Sequence, residues 1–253
     1  MLVEDLMPKV GAVIHLAAIV DHEACLQNPR LANDVNQNGT LTLLEAARRH
    51  ELKRFVYASS AAVYGNAQKL PIPENQEPTP LAPYGTSKLA AERYCLQYQQ
   101  SYGLNTVCLR YFNIFGPRQT AKQYSGVITE FIKRLQRGMP PTIFRNGLQT
   151  RDFVSIADVV QATVLALDRG NAIGIYNIAT GKETSIKTLA DLLIQISGRS
   201  SMAPLFAPER PGEIRRSVAS IAKAESQLGF KPVTELGRDL LELWNWCLRP
   251  RAV

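Results

Sequence analysis

Apolar residues fall along this chain in short dense runs, separated by stretches where they recur at helical spacing. AVIHLAA at 12–18 is compact and rich in β-branched residues, the pattern of a buried parallel strand. From Val35 to His50, Leu41, Leu44 and Ala47 recur at the spacing of an amphipathic helix. RFVYASS at 54–60 reads as a second buried strand ending in two hydroxyl residues. The Pro-rich stretch KLPIPENQEPTPLAP excludes regular structure. A helix carrying Tyr84 comes next, and TVCLRYF at 106–112 is a third strand. Strand–helix–strand–helix–strand predicts right-handed crossovers in a doubly wound parallel sheet of α/β class. Such sheets bind ligands beyond the carboxyl ends of their strands, which directs attention to Ala17, Ala18, Ser59, Ser60 and Asn113.

After Asn113 the pattern shifts. VITEFIKRLQRG predicts a helix closing at Gly138. PPTIFRNGLQTRDFVS predicts two short strands around an Asn-Gly turn. A helix over 156–169, a strand over 174–179, a helix near 186–197 and a helical pair over 219–248 complete the reading.

Composition narrows the classes. No apolar run approaches the roughly 20 residues of a membrane span, and the charged start MLVEDLMPK lacks the layout of a signal peptide, so the expected location is cytoplasmic, with no membrane partner. The net charge of +7 is carried by short, dispersed clusters such as RLQR and IRR, which argues against a nucleic-acid partner. Cys25, Cys95, Cys108 and Cys247 form no C-x-x-C pair, and His15, His22 and His50 have no ligand spacing, so no metal site is expected.

Tyr84 and Lys88 stand four residues apart in PYGTSKLAAE. On a helix they share a face about 6 Å apart. Alone, that spacing equally describes a solvated lysine beside a half-buried tyrosine. Its company changes the weight: VIHLAA, NGTLTLLEAAR, SSAAVYG, PYGTSKLAAE, LRYFNIFGPRQ, QTRDFVSIADVV, YNIATG and RPGEIRRS occur in this order over nearly the whole chain. In these stretches the sequence resembles the extended short-chain dehydrogenase/reductase family, and within it the nucleotide-sugar 4-epimerases.

The resemblance implies a Rossmann-like domain, N-terminally truncated, over 1–112 with 152–180 returning to it, and a small α/β C-terminal substrate lobe from 113–151 and 181–253. It implies NAD as cofactor, a UDP-hexose as substrate and a homodimer through the Tyr84 helix. Tyr84 would be the base, Lys88 its electrostatic aid and Ser60 the proton relay. Leu16, Ala17, Ala18, Asn36, Ser59, Tyr84, Lys88 and Tyr111 would line the cofactor cleft. Ser60, Tyr84, Asn113, Thr142, Phe144, Arg151, Arg210 and Ser217 would hold the sugar nucleotide, the two arginines at its diphosphate.

Relatives that eliminate water or decarboxylate carry acidic residues after the active hydroxyl; here those positions are Ala61 and Ala62. A methyl group donates no proton, so 4-epimerisation is expected. Ser217 replaces a bulky tyrosine of glucose-restricted epimerases and leaves room for an N-acetyl group. The family's Gly-rich pyrophosphate turn does not occur here: before Gly39 the sequence holds Gly11 alone. Two βα units of roughly 30 residues each are therefore expected to be missing before Met1, leaving the VIHLA strand as a bare apolar edge. Two alternatives stay open: another NAD-dependent nucleotide-sugar oxidoreductase or epimerase, and a non-catalytic binding protein derived from one.

Overall fold

The structure is a computed structural model that describes residues 2–119, 126–209 and 214–249. Helix α1 (Leu2–Leu6) precedes strand β1 (Ala12–His15). Helices α2 (His22–Gln27) and α3 (Pro29–Asn33), a π-helical turn (Asp34–Asn38) and α4 (Gly39–Arg49) lead to β2 (Arg54–Ser60). Then come α5 (Pro83–Tyr102), β3 (Thr106–Tyr111), β4 (Asn113–Phe115), α6 (Val127–Gln136), β5 (Thr142–Phe144), β6 (Thr150–Arg151) and β7 (Phe153–Ser155). The chain continues through α7 (Ile156–Asp168), β8 (Gly174–Ile178), β9 (Thr184–Ser185), α8 (Ile186–Ile196), β10 (Leu205–Ala207) and α9 (Leu236–Leu248).

Four parallel strands in the order β1-β2-β3-β8 form the main sheet. The two-residue period of a strand sorts its residues between faces. Phe55, Tyr57 and Cys108 pack with Leu44 of α4 and with Ala91, Cys95 and Tyr98 of α5. Val56, Val107 and Leu109 pack with Val159, Ala162 and Ala166 of α7 on the other face. A second core joins Phe131 and Leu135 of α6, Ile143, Leu189 and Leu193 of α8, and Leu240 and Trp244 of α9.

The sheet's two edges differ. Along β8, the Asn177 N–H donates to the Glu74 carboxylate at 2.9 Å, and Lys223 Nζ donates to the Ile175 carbonyl at 2.8 Å. Charged side chains thus occupy an edge that would otherwise offer free backbone groups. Among the described residues, strand β1 pairs only with β2, and Ile14 is 41% exposed.

The structure corrects three readings of the pattern. Strand β1 stops at His15, so Leu16, Ala17 and Ala18 lie beyond its carboxyl end. The helix expected from Val35 opens as a π-turn over Asp34–Asn38. The segment 140–155 is not a hairpin: β5 pairs in parallel with β10, β6 antiparallel with β9 and β7 in parallel with β4. The Asn-Gly turn still reverses the chain, with Arg145 and Gly147 at φ of 59° and 73°.

Candidate active site

Tyr84 and Lys88 sit on the first turns of α5, with Pro83 opening the helix where its missing N–H costs nothing. Both are buried, at 9% and 3% exposure. The helix approaches the turn after β2 unusually closely at Gly85, where a Cβ would stand 2.6 Å from the Ala62 carbonyl oxygen. Any side chain there would push α5 outward. Tyr84 packs against Ala62 and Ile19 in a cluster with Cys25 and Ala32. Ser60, last residue of β2, accepts a hydrogen bond from the Ala62 N–H at 3.1 Å, leaving its own hydrogen to donate. Tyr84 and Ser60 thus both meet the Ala61–Ala62 turn.

The Lys88 ammonium lies over the Tyr57 ring, 4.5 Å from its centre. Burial lowers its pKa to about 8, a pull that Cys95, Cys108 and Glu92 oppose. One turn further along α5, Glu92 is fully buried and ion-paired with Arg110 of β3 through two contacts of 2.9 and 2.5 Å. The Ser59 hydroxyl donates to the same carboxylate at 2.8 Å. Arg110 also donates to the Glu74 carbonyl and stacks on Tyr64, whose hydroxyl donates to Asn177. This network ties α5 to the carboxyl ends of β2 and β3. Glu92 continues the Tyr84–Lys88 spacing by another four residues, a signal readable in the sequence although no chemistry pointed to it.

Asn36 is 1% exposed and has its amide fully engaged. It accepts from the Ile19 N–H at 2.7 Å and donates to the Ile19 carbonyl and Ser87 Oγ, each at 3.0 Å. The π-turn that carries it aims this side chain inward, a use of π geometry common at functional sites. Thr40 Oγ1 donates to the Asn36 carbonyl and pairs with His15 Nε2 at 2.9 Å. Burial, aided by the Lys88 charge, lowers His15 to about 4, so its ring is neutral beside the lysine.

The other expected positions divide between those near this centre and those turned elsewhere. Leu16 and Ala17 are exposed and Ala18 is half-buried on the ledge past β1. The Tyr111 hydroxyl pairs with Thr163 of α7 at 2.8 Å, on the face opposite Lys88. Asn113 bonds the Asp152 carbonyl through its backbone and side chain. Thr142 and Phe144 lie on β5 beside β10. Arg151 is held by the Thr150 and Ile214 carbonyls at 2.8 and 2.7 Å, and Ser217 is 8% exposed. Arg210 lies outside the described residues. Among the described residues no cluster of three or more His, Cys, Asp or Glu could hold a metal ion, and no helix is long and apolar enough to cross a membrane.

The family model described as the NAD dependent epimerase/dehydratase family matches residues 2–179. The putative UDP-glucose 4-epimerase of Methanocaldococcus jannaschii is 41% identical over 238 residues, covering 94% of this chain and 77% of that protein. The solved UDP-N-acetylglucosamine 4-epimerase of Methanobrevibacter ruminantium superposes with a TM-score of 0.93 at 32% identity, covering 97% of this chain and 79% of that one. The UDP-glucose 4-epimerase of Thermotoga maritima gives 0.90 at 34% identity, covering 96% and 81%. A parallel α/β sheet with a buried tyrosine–lysine pair on the helix beside β2 is matched here by a family of NAD-dependent enzymes. The chain belongs to the NAD dependent epimerase/dehydratase family.

The residues present fit the nicotinamide end of that cofactor. Lys88 is a buried ammonium resting on an aromatic face, which leaves N–H donors for a pair of ribose hydroxyls. Ala17 and Ala18, just past the carboxyl end of β1, bring only methyl groups to the ledge where such sheets bind ligands.

Proposed function

We propose that the chain is a 4-epimerase of a UDP-hexose, interconverting UDP-glucose and UDP-galactose and accepting their N-acetylated forms. The observation that carries this reading is the buried Tyr84–Lys88 pair, packed through Ala62 onto the turn that follows Ser60. NAD, when bound, supplies a reversible hydride acceptor for carbon 4 of the sugar. Tyr84 takes the proton of the 4-hydroxyl and later returns it. A phenol with its ordinary pKa near 10 is a weak base at neutral pH, and the Lys88 ammonium one turn away favours the phenolate. Ser60 donates to the same sugar oxygen and relays the proton.

Ala61 and Ala62 restrict the chemistry, because neither offers an acid to expel a hydroxyl from a neighbouring carbon. The keto-sugar therefore has one exit, reduction from the other face after it turns. Arg151, Arg210, Asn113, Thr142 and Phe144 form the proposed nucleotide side, and Ser217 the proposed gate for the N-acetyl group. A homodimer through α5 and a cytoplasmic location complete the proposal. The test is to measure NAD binding by calorimetry and to follow UDP-galactose formation from UDP-glucose by chromatography. Binding with turnover supports the reading. Binding with a different product moves the chain to another nucleotide-sugar reaction, and absence of both leaves a non-catalytic protein.

A further inference from the structure

His22 carries no ligand spacing in the sequence, yet the fold sets its ring against that of Tyr84, with centroids 4.8 Å apart and planes inclined by 49°. The contact is built from several directions. Asp21 caps α2 by accepting from the Ala24 N–H at 2.9 Å, which fixes His22 as the first helical residue. Two residues before that cap, Ile19 is gripped through both backbone groups by Asn36. The same Asn36 amide donates to Ser87 Oγ, and Ser87 Oγ donates to the Tyr84 carbonyl at 2.8 Å. One buried asparagine thus anchors both the loop that presents His22 and the helical turn that presents Tyr84. Cys25, on the inner side of α2, points its thiol at the Ile19 carbonyl and packs in the Tyr84 cluster.

A phenol acting as base must bring its oxygen to a hydroxyl within hydrogen-bond reach, and a displacement of about 1 Å costs roughly 10²-fold in rate. A tyrosine side chain turns about two bonds, so a wall against its ring fixes where the oxygen points. We infer that His22 is a positioning residue, whose imidazole holds the Tyr84 phenol in the orientation from which it reaches the sugar hydroxyl. Burial lowers the His22 pKa, against the pull of Asp21, so the ring beside the phenol is neutral at neutral pH and acts as a flat surface, not as a second cation. The inference rests on the epimerase reading for its catalytic consequence, but not for its geometric one.

Two variants separate the ring's shape from its chemistry. His22→Phe keeps an aromatic wall, and His22→Ala removes it. Each would be measured two ways with the full chain: by NMR, reading as the Tyr84 signal the nuclear Overhauser contacts from its labelled ring to the Ala62 and Ile19 methyl groups, with Tyr84 assigned from Tyr84→Phe, and by steady-state turnover of UDP-glucose with NAD. Expected for His22→Ala is a changed Tyr84 signal and a kcat lower by at least about tenfold, with KM within about threefold, because the loss falls on orientation for the chemical step. Expected for His22→Phe is recovery of kcat to within about threefold of wild type. An unchanged Tyr84 signal in His22→Ala overturns the inference, as does a His22→Phe variant as slow as His22→Ala. If the wild type turns over no UDP-sugar, the epimerase reading fails, and the NMR measurement still decides whether His22 fixes Tyr84.

Discussion

The Lys88 ammonium rests 4.5 Å from the centre of the Tyr57 ring, sealed at 3% exposure beneath the helix it belongs to. An ammonium buried on an aromatic face costs stability while it is charged, and its folded pKa of about 8 against 10.5 measures that cost. Between those values the unfolded chain holds the proton and the folded chain does not. The penalty is therefore full below about pH 8 and fades as pH rises toward 10.5. A shift of this size corresponds to about 3 kcal/mol. Lys88→Met should raise the unfolding free energy at pH 7 by about 2–3 kcal/mol, lose that advantage near pH 10, and abolish turnover. Urea unfolding at the two pH values checks it. A variant less stable than wild type at pH 7 would mean that the lysine supports the fold.

Tyr84→Phe removes one oxygen from a cluster otherwise made of Ile19, Cys25, Ala32 and Ala62. Its packing survives and its proton transfer does not. Turnover of UDP-glucose should fall by roughly 10²–10⁴-fold, with KM and the thermal midpoint close to wild type. A loss below tenfold would show that another group serves as base.

Glu92 and Arg110 are 0% and 1% exposed, so removing either partner leaves a charge stranded in the core. Glu92→Ala should cost about 3–5 kcal/mol by urea unfolding, and replacing both residues with methionine should recover most of that loss. If the double variant is as unstable as the single one, the pair contributes attraction that apolar packing cannot replace. Turnover adds a second readout. The pair holds α5 to β2 and β3, so the double variant should unfold normally yet epimerise slowly.

The order of elements around the main sheet was legible because each rests on local signals. Strand β2 matches its apolar run from Arg54 to Ser60, and α5 runs from Pro83 to Tyr102, closed by Gly103 at a φ of 72°. The small strands were not legible, because their partners lie far off in sequence: Thr142–Phe144 pairs with Leu205–Ala207, and Thr150–Arg151 with Thr184–Ser185. No window around the Asn-Gly turn contains those partners. Tyr111 was read as lining the cofactor cleft, and the structure sets its hydroxyl against Thr163 of α7. Arg110 turns to Glu92 beneath α5, so its neighbour must turn to α7, where it meets Thr163. Asn36 was read as lining the cofactor cleft, and its amide proves to hold Ile19 and Ser87. His22 gave no signal, since its role comes from α2 folding back over α5.

Ser217 is 8% exposed at the start of the segment leading to Ala219, which bonds Asp152. If it bounds the sugar pocket, Ser217→Tyr fills the space for an N-acetyl group. Turnover of UDP-N-acetylglucosamine should fall by at least about tenfold, while UDP-glucose turnover stays within about threefold. Equal losses on both substrates would remove Ser217 from the role of gate.

The central claim is that Tyr84 and Lys88 serve a reversible transfer at carbon 4 of a UDP-hexose. It is tested most directly with UDP-glucose deuterated at that carbon, supplied with NAD in ordinary water and followed by NMR. The account predicts UDP-galactose that retains the deuterium at carbon 4. Product in which the label has been exchanged for solvent hydrogen would contradict it.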